Sequence, residues 1–274
     1  MHNIGKTLLV TTTRYELRDT LRAQLARETF LAAREERCVV IIVDDSRHSS
    51  YADAFRQSGA IVFRQHQAGM AASRRQAFFH AHEFVLDYPR YDRVMWLEPE
   101  KRFLPKLAAT IAAPIDGVRT LVSMACRSQR SWATWPDFQV ASEQKANAVY
   151  AEATGWEGLD PMFGTVAFHV SLLPELMTFH ARRFAPDIDG DYVQVLASLV
   201  LCAQRRQRPA RVEVGVEYPP EQRQEEEGML RDIMVSKRRF QCESLSKAFR
   251  ALGQAFALPR IIPSMEERYR RPAA

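Results

Sequence analysis

Cys38-Val39-Val40-Ile41-Ile42-Val43-Asp44-Asp45-Ser46 decides how the rest of the chain is read. Cys38 to Val43 runs without a polar interruption, and every residue after Cys38 is β-branched. This is the composition of a central parallel strand covered on both faces, where polar and apolar positions no longer alternate. The run stops at two aspartates and a serine, so a buried strand delivers carboxylates to its carboxyl end. Open α/β sheets bind their ligands beyond that edge.

The flanking segments repeat the same unit. Thr7 to Thr12 reads as a strand and Glu16 to Arg34 as a helix, with Leu17, Leu21 and Leu25 four apart on one face. Tyr51 to Ser58 is a short helix closed by Gly59, and Ala60 to Phe63 is a third strand. Met70 to Leu86 is a helix and Arg93 to Leu97 a fourth strand. This β-α-β-α-β-α-β order implies a mostly parallel α/β sheet with right-handed crossovers. Thr11-Thr12-Thr13-Arg14, Asp44-Asp45-Ser46 and Glu98-Pro99-Glu100 then gather at one sheet edge. Alternate side chains of an extended segment face the same side, so Glu98 and Glu100 are expected to face one cation. Mg2+ or Mn2+ suits one or two carboxylates completed by phosphate oxygens and water. The other reading of Glu98 to Glu100 is a surface turn broken by Pro99.

The second half is less regular. Helices are expected over 104–112, 139–153, 172–180 and 191–204, and strands over 120–125, 165–170 and 211–216. A long, mostly helical segment over 221–256 is free to pack on the core, cover a cleft or pair two subunits as a homodimer. No linker or repeat interrupts the chain, so the reading is one domain. It has a nucleotide half (1–103), an acceptor half (104–218) and a helical C-terminal extension (219–274).

The bulk composition narrows the function. The 274 residues suffice for a sizeable core, and 46% hydrophobic with 26% charged residues is ordinary for a globular protein. No stretch has the length of a membrane-spanning helix or a signal-peptide core, so a cytoplasmic protein is expected. The four cysteines match no metal-ligand spacing, which argues against structural zinc and a disulfide framework. The net charge of +5 is concentrated in Arg205-Arg206-Gln207-Arg208, Lys237-Arg238-Arg239 and Arg268 to Arg271. Aromatic residues do not interleave with these clusters as they do on nucleic-acid surfaces. A small phosphorylated ligand is favoured over a polynucleotide.

Taken together, these segments resemble a GT-A glycosyltransferase of the family 2 type over roughly residues 5 to 215. The resemblance implies a nucleotide-diphospho-sugar donor, a hydroxyl acceptor and a divalent metal. Thr11, Thr12 and Arg14 correspond to the turn that contacts the base, and Asp44 or Asp45 to the acidic residue on the base or ribose. Gly69 opens a helix whose N–H groups favour anions, with Arg74 and Arg75 as diphosphate donors or, alternatively, an exposed first turn. Glu98 and Glu100 stand where the family has two aspartates one residue apart. Lys101 beside them offers a metal-free alternative in which a protein cation neutralises the diphosphate.

In the acceptor half, Asp189 and Asp191 match the position of the acidic residue that is the general base in inverting members of the family, a retaining enzyme needing no such base, though both also suit a helix N-terminus. Trp156, Asp160 and Gly164 fall where acceptor and sugar contacts are made. Trp156 and Phe163 suit either sugar stacking or core packing. Late basic residues close over the diphosphate in related enzymes, which points to Lys237 and Arg238, or to Gln222-Arg223. A non-catalytic nucleotide-sugar-binding protein of the same fold is one alternative. A sugar-phosphate nucleotidyltransferase is another, but it calls for a glycine-rich loop after the first strand that Thr11 to Arg14 do not supply.

Overall fold

A computed structural model of the chain describes residues 6–17, 19–186 and 192–258. Its centre is a seven-stranded sheet in the order β3-β2-β1-β4-β6-β5-β7. The strands are β1 (Lys6–Thr13), β2 (Val40–Asp44), β3 (Ile61–Arg64), β4 (Tyr91–Trp96), β5 (Val122–Arg127), β6 (Val166–His169) and β7 (Ala210–Val214). β3, β2, β1 and β4 run parallel to one another, and β7 runs parallel to β5. β6 is antiparallel to both of its neighbours, β4 and β5. Every residue of β2 is buried, as its unbroken apolar run requires.

The side chains divide the core between two faces. Val10, Ile41, Val43, Val94 and Trp96 pack on one, while Leu9, Val40, Ile42, Met95 and Leu97 pack on the other. Helices α1 (Thr20–Glu35), α2 (Ser49–Gln57), α3 (Met70–Asp87) and α4 (Leu104–Ala112) connect the first five strands. A single turn, α5 (Gln129–Trp132), and α6 (Asp137–Thr154) follow β5; α7 (Leu173–Thr178) and α8 (Val193–Gln204) follow β6. After β7 come α9 (Pro220–Glu227) and α10 (Arg231–Ala255). α3, α6, α7, α8 and α10 cover the first face, and α1, α2 and α4 the second.

Three expectations change in detail. Leu17 precedes α1 and is exposed, whereas Leu25 is buried as expected; the residues of that helix in the core cluster are Ala23, Ala26, Phe30 and Ala33. The C-terminal segment is two helices rather than one. At the break, a Cβ on Gly228 would lie 2.8 Å from the Gln224 carbonyl oxygen. Finally, Glu98 to Lys101 is a turn and not extended strand: Lys101 N donates to Glu98 O at 3.2 Å. Cys126, Cys202 and Cys242 are buried thiols, and Cys38 is partly buried. Among the described residues, no helix is long and apolar enough to cross a membrane.

Candidate functional site

Two cavities lie beyond the carboxyl ends of β1, β2 and β4, and they share Arg22, Met70, Arg74, Glu98 and Glu100. The outer one, about 250 Å3, is completed by the β1 turn, Asp45 and the start of α3. The inner one, about 210 Å3, is walled by α6, α8, α9 and α10. The turn at Glu98 therefore stands between two chambers.

The outer chamber separates the two aspartates. Asp44 is fully buried and its carboxylate is occupied: Thr13 Oγ1 donates to it at 2.8 Å and Ser46 Oγ at 2.6 Å, and Arg64 pairs with it. Asp44 locks the strand ends and has no open side for a ligand. Asp45 faces the chamber, with a side chain 41% exposed and 3.8 Å from Arg14. Thr12 and Arg14 line the same chamber, whereas Thr11 is buried in the sheet. Gly69, at φ +103°, caps α3 in a conformation that side chains disfavour, and it brings Met70, Ser73 and Arg74 to the wall.

One residue of rotation separates the two arginines of α3. Arg74 points into the site, its guanidinium carbon 5.4 Å from the Trp96 ring and 4.9 Å from the Tyr192 ring. Arg75 points away: it donates to the Phe179 carbonyl at 3.4 Å and lines a separate surface groove with His180 and Arg183. Arg75, expected at the diphosphate, thus lines neither chamber. Neighbouring helix positions differ by about 100°, and only one of the two faces the sheet edge.

Glu98 and Glu100 meet the ligand space under different constraints. Glu98 is held by the Trp96 indole N–H at 3.2 Å. Burial, with Glu100 adding to it against Arg74, pushes its carboxyl above the usual carboxylate range. Gly164, at φ +82°, lies so close that a Cβ there would be 2.8 Å from Glu98 Oε1. Glu100 already has a partner on each oxygen, Tyr15 OH at 3.1 Å and Arg22 Nη2 at 3.0 Å. Among the described residues, no third His, Cys, Asp or Glu joins the pair in a metal-binding cluster. A divalent ion would have to displace Arg22 or share a carboxylate with it. The donor set fits a divalent metal poorly.

Lys101 lies beneath the inner chamber. Its Nζ is 3.7 Å from the centre of the Tyr218 ring, 5.5 Å from that of Trp135, and donates to Gln222 at 3.3 Å. Burial pulls its pKa down to about 8, against the pull of Glu100, Glu226 and Glu98. Lys237 and Arg238, on α10, reach the same chamber. Arg238 is tied to Glu143 at 3.1 Å, whereas Lys237 is held below the usual lysine value by burial and by Arg22 and Arg238 nearby.

Other expected residues take structural roles. Asp160 is the bidentate partner of Arg127, at 2.7 and 2.8 Å, and also accepts from Asn147. Trp156 packs against Tyr150 in the core and lines neither chamber. Gly164 and Phe163 do line the inner chamber. Asp189 and Asp191 lie outside the described residues. Gln194, not singled out from the sequence, is 1% exposed. It lines the inner chamber, and its Oε1 has no hydrogen-bond partner among the described residues. It was detectable as the one long polar side chain in the apolar run from Val193 to Cys202. Arg22, also missed, carries no such mark in a helix with several arginines.

No family model matches the chain, and no curated protein matches its sequence. Solved structures do match it. Glucosyl-3-phosphoglycerate synthase of Mycobacterium tuberculosis bound to phosphoglyceric acid aligns at TM-score 0.57 with 12% identity, covering 94% of this chain and 82% of that one. The same enzyme with Mn2+, UDP-glucose and phosphoglyceric acid aligns at TM-score 0.54 with 13% identity and the same coverage. Mannosyl-3-phosphoglycerate synthase of Rubrobacter xylanophilus aligns at 0.53 with 18% identity, covering 97% and 80%. These similarities define the architecture: the chain shares the GT-A fold of these synthases.

Proposed function

We propose that the protein is a glycosyltransferase that moves a sugar from a nucleotide-diphosphate donor to an acceptor hydroxyl. The observation that carries this reading is the pair of chambers meeting at Glu98, Glu100, Arg22 and Arg74 on the carboxyl edge of a GT-A sheet. Asp45, Thr12 and Arg14 take the nucleoside in the outer chamber. The start of α3 and Arg74 take the diphosphate where the two chambers meet, its β-phosphate reaching the inner one, and the sugar projects from there toward Gln194. There Gln194 Oε1, buried and without a partner among the described residues, is set to accept from a sugar or acceptor hydroxyl, an unmade bond that would otherwise cost about 1–3 kcal/mol.

In the reaction, the acceptor oxygen bonds to the anomeric carbon as that carbon's bond to the β-phosphate oxygen breaks. The electron pair stays on the phosphate, and the acceptor proton passes to a carboxylate. Asp189 or Asp191, at the entry to α8, is the proposed base of an inverting reaction. Fixed positive groups around the departing diphosphate stabilise the developing charge. The neighbours' Mn2+ makes Mn2+ or Mg2+ the ion to test at Glu98 and Glu100. Their phosphoglycerate makes a small anionic hydroxyl compound the first acceptor to try.

The test is release of UDP or GDP from a panel of nucleotide sugars, followed by chromatography with and without acceptor. Acceptor-dependent release is expected. Gln194→Leu should lower kcat/KM about tenfold or more, equivalent to about 1.4 kcal/mol, while leaving UDP affinity within a few-fold. Failure of every nucleoside diphosphate to bind overturns the reading.

A further inference from the structure

The walls of the inner chamber carry more positive charge than its carboxylates balance. Arg22, Arg74, Lys101, Arg127, Lys237 and Arg238 line it, against Glu98, Glu100, Glu143 and Glu226. Two of these carboxylates are already engaged in structural contacts. Glu143 pairs with Arg127 at 2.6 Å and with Arg238 at 3.1 Å. Glu226 accepts from Tyr218, Gln139 and Gln222 at 2.6 to 2.9 Å. Arg22 gives one arm to Glu100, yet its Nε is buried with no acceptor among the described residues, in the wall that both chambers share. Lys101 is half-buried and covered by two aromatic rings, while Lys237 lines the chamber from the exposed side of α10. A lysine under such aromatic cover loses hydration that a bound anion would replace.

A divalent cation added here would meet Arg22 at one carboxylate and Lys101 beside the other. A diphosphate would instead supply the missing counter-charge. We propose that this protein holds the diphosphate of its nucleotide donor without a divalent metal, with Arg22, Lys101 and Lys237 supplying the positive charge and Glu100 acting as the counter-ion that positions Arg22. The inference rests on the glycosyltransferase reading. As the bond to the anomeric carbon breaks, the new charge on the β-phosphate oxygen is met by a guanidinium and two ammonium groups. Arg22 offers paired N–H donors of the kind that recognise phosphate.

Calorimetric titration of UDP into the full-length protein, in EDTA and in millimolar MnCl2, separates the two schemes without any substitution. The affinity in EDTA is expected to lie within about threefold of that with Mn2+, a difference under about 0.7 kcal/mol. Binding seen only with Mn2+ overturns the inference and leaves the glycosyltransferase reading standing. No binding of UDP or GDP in either buffer overturns both. Arg22→Gln and Lys101→Gln should each weaken UDP in EDTA about tenfold or more, with Arg22→Lys recovering part of the loss. Unchanged affinity in both Gln variants, in protein with wild-type circular dichroism, overturns the assignment of these cations. Glu100→Gln gives the sharpest contrast, because the carboxamide still accepts from Arg22 but no longer neutralises it. UDP should bind about threefold tighter to this variant; a tenfold loss marks Glu100 as a metal ligand and sinks the inference.

Discussion

Lys101, half-buried with its ammonium against two aromatic rings, is expected to couple the site to pH. Burial beneath Tyr218 and Trp135 lowers its pKa from the usual 10.5 to about 8. A bound diphosphate favours the charged form and raises that value again. Between pH 8 and 10 the free protein has shed a proton that the complex keeps, so binding takes up a proton there. UDP affinity should be flat below pH 8 on account of this group, then fall by up to about tenfold per pH unit above it. Calorimetry in two buffers of different ionisation heat measures the proton uptake. The linkage to folding has the opposite sign. In the same window the unfolded chain binds the proton that the folded one has lost, so Lys101's contribution to stability rises with pH. A parallel fall in stability and affinity would assign the effect to another group. Lys101 was named from the sequence because it adjoins the Glu-Pro-Glu turn. Its aromatic cover comes from Trp135 and Tyr218, 34 and 117 residues further on, and no local pattern announces such a contact.

Elements were more legible than the directions their side chains take. The β-branched run, the alternating strand-helix order and the Gly69 turn locate the sheet edge, because burial and turn chemistry are written locally. Rotation about a helix axis is set by tertiary packing. That is why α3 presents Arg74 to the site and Arg75 to a different surface. It is also why Asp45 faces a ligand space while Asp44 is consumed by Thr13, Ser46 and Arg64. The antiparallel direction of β6 likewise depends on pairing with distant β4 and β5. The contact between α6 and α10 is equally non-local: a Cβ on Gly253 would sit 2.4 Å from the Ala153 carbonyl oxygen. Gly253→Ala must push the helices apart, and overpacking of this kind costs about 1–3 kcal/mol. Thermal unfolding should show the loss. Since α10 also carries Lys237 and Arg238 into the inner chamber, UDP affinity should fall with it. A variant as stable as wild type would show that the two helices do not pack this closely.

Across the whole molecule, one buried ion network ties the site's walls together. Arg127, at the end of β5, holds Asp160 before β6 with three hydrogen bonds, one of them from its backbone N–H, and Glu143 on α6 with a fourth; Glu143 in turn holds Arg238 on α10. Trp132 lies over the Arg127 guanidinium at 3.5 Å. The side chains of Arg127 and Glu143 are only 1% and 2% exposed, so removing one partner leaves a buried charge uncompensated, at about 3–5 kcal/mol. This distinguishes two roles for Asp160, which the sequence offered as an acceptor contact. As the structural partner of Arg127, Asp160→Asn should lose about 3–5 kcal/mol in urea unfolding, with acceptor KM at low temperature changing less than about threefold. As an acceptor contact, the same variant would keep its unfolding midpoint and raise acceptor KM about tenfold. The geometry favours the first outcome, because four donors already occupy the Asp160 carboxylate and its side chain is 6% exposed. The network fixes where the inner chamber's walls stand, and the lining cations it leaves out are Arg22, Arg74, Lys101 and Lys237.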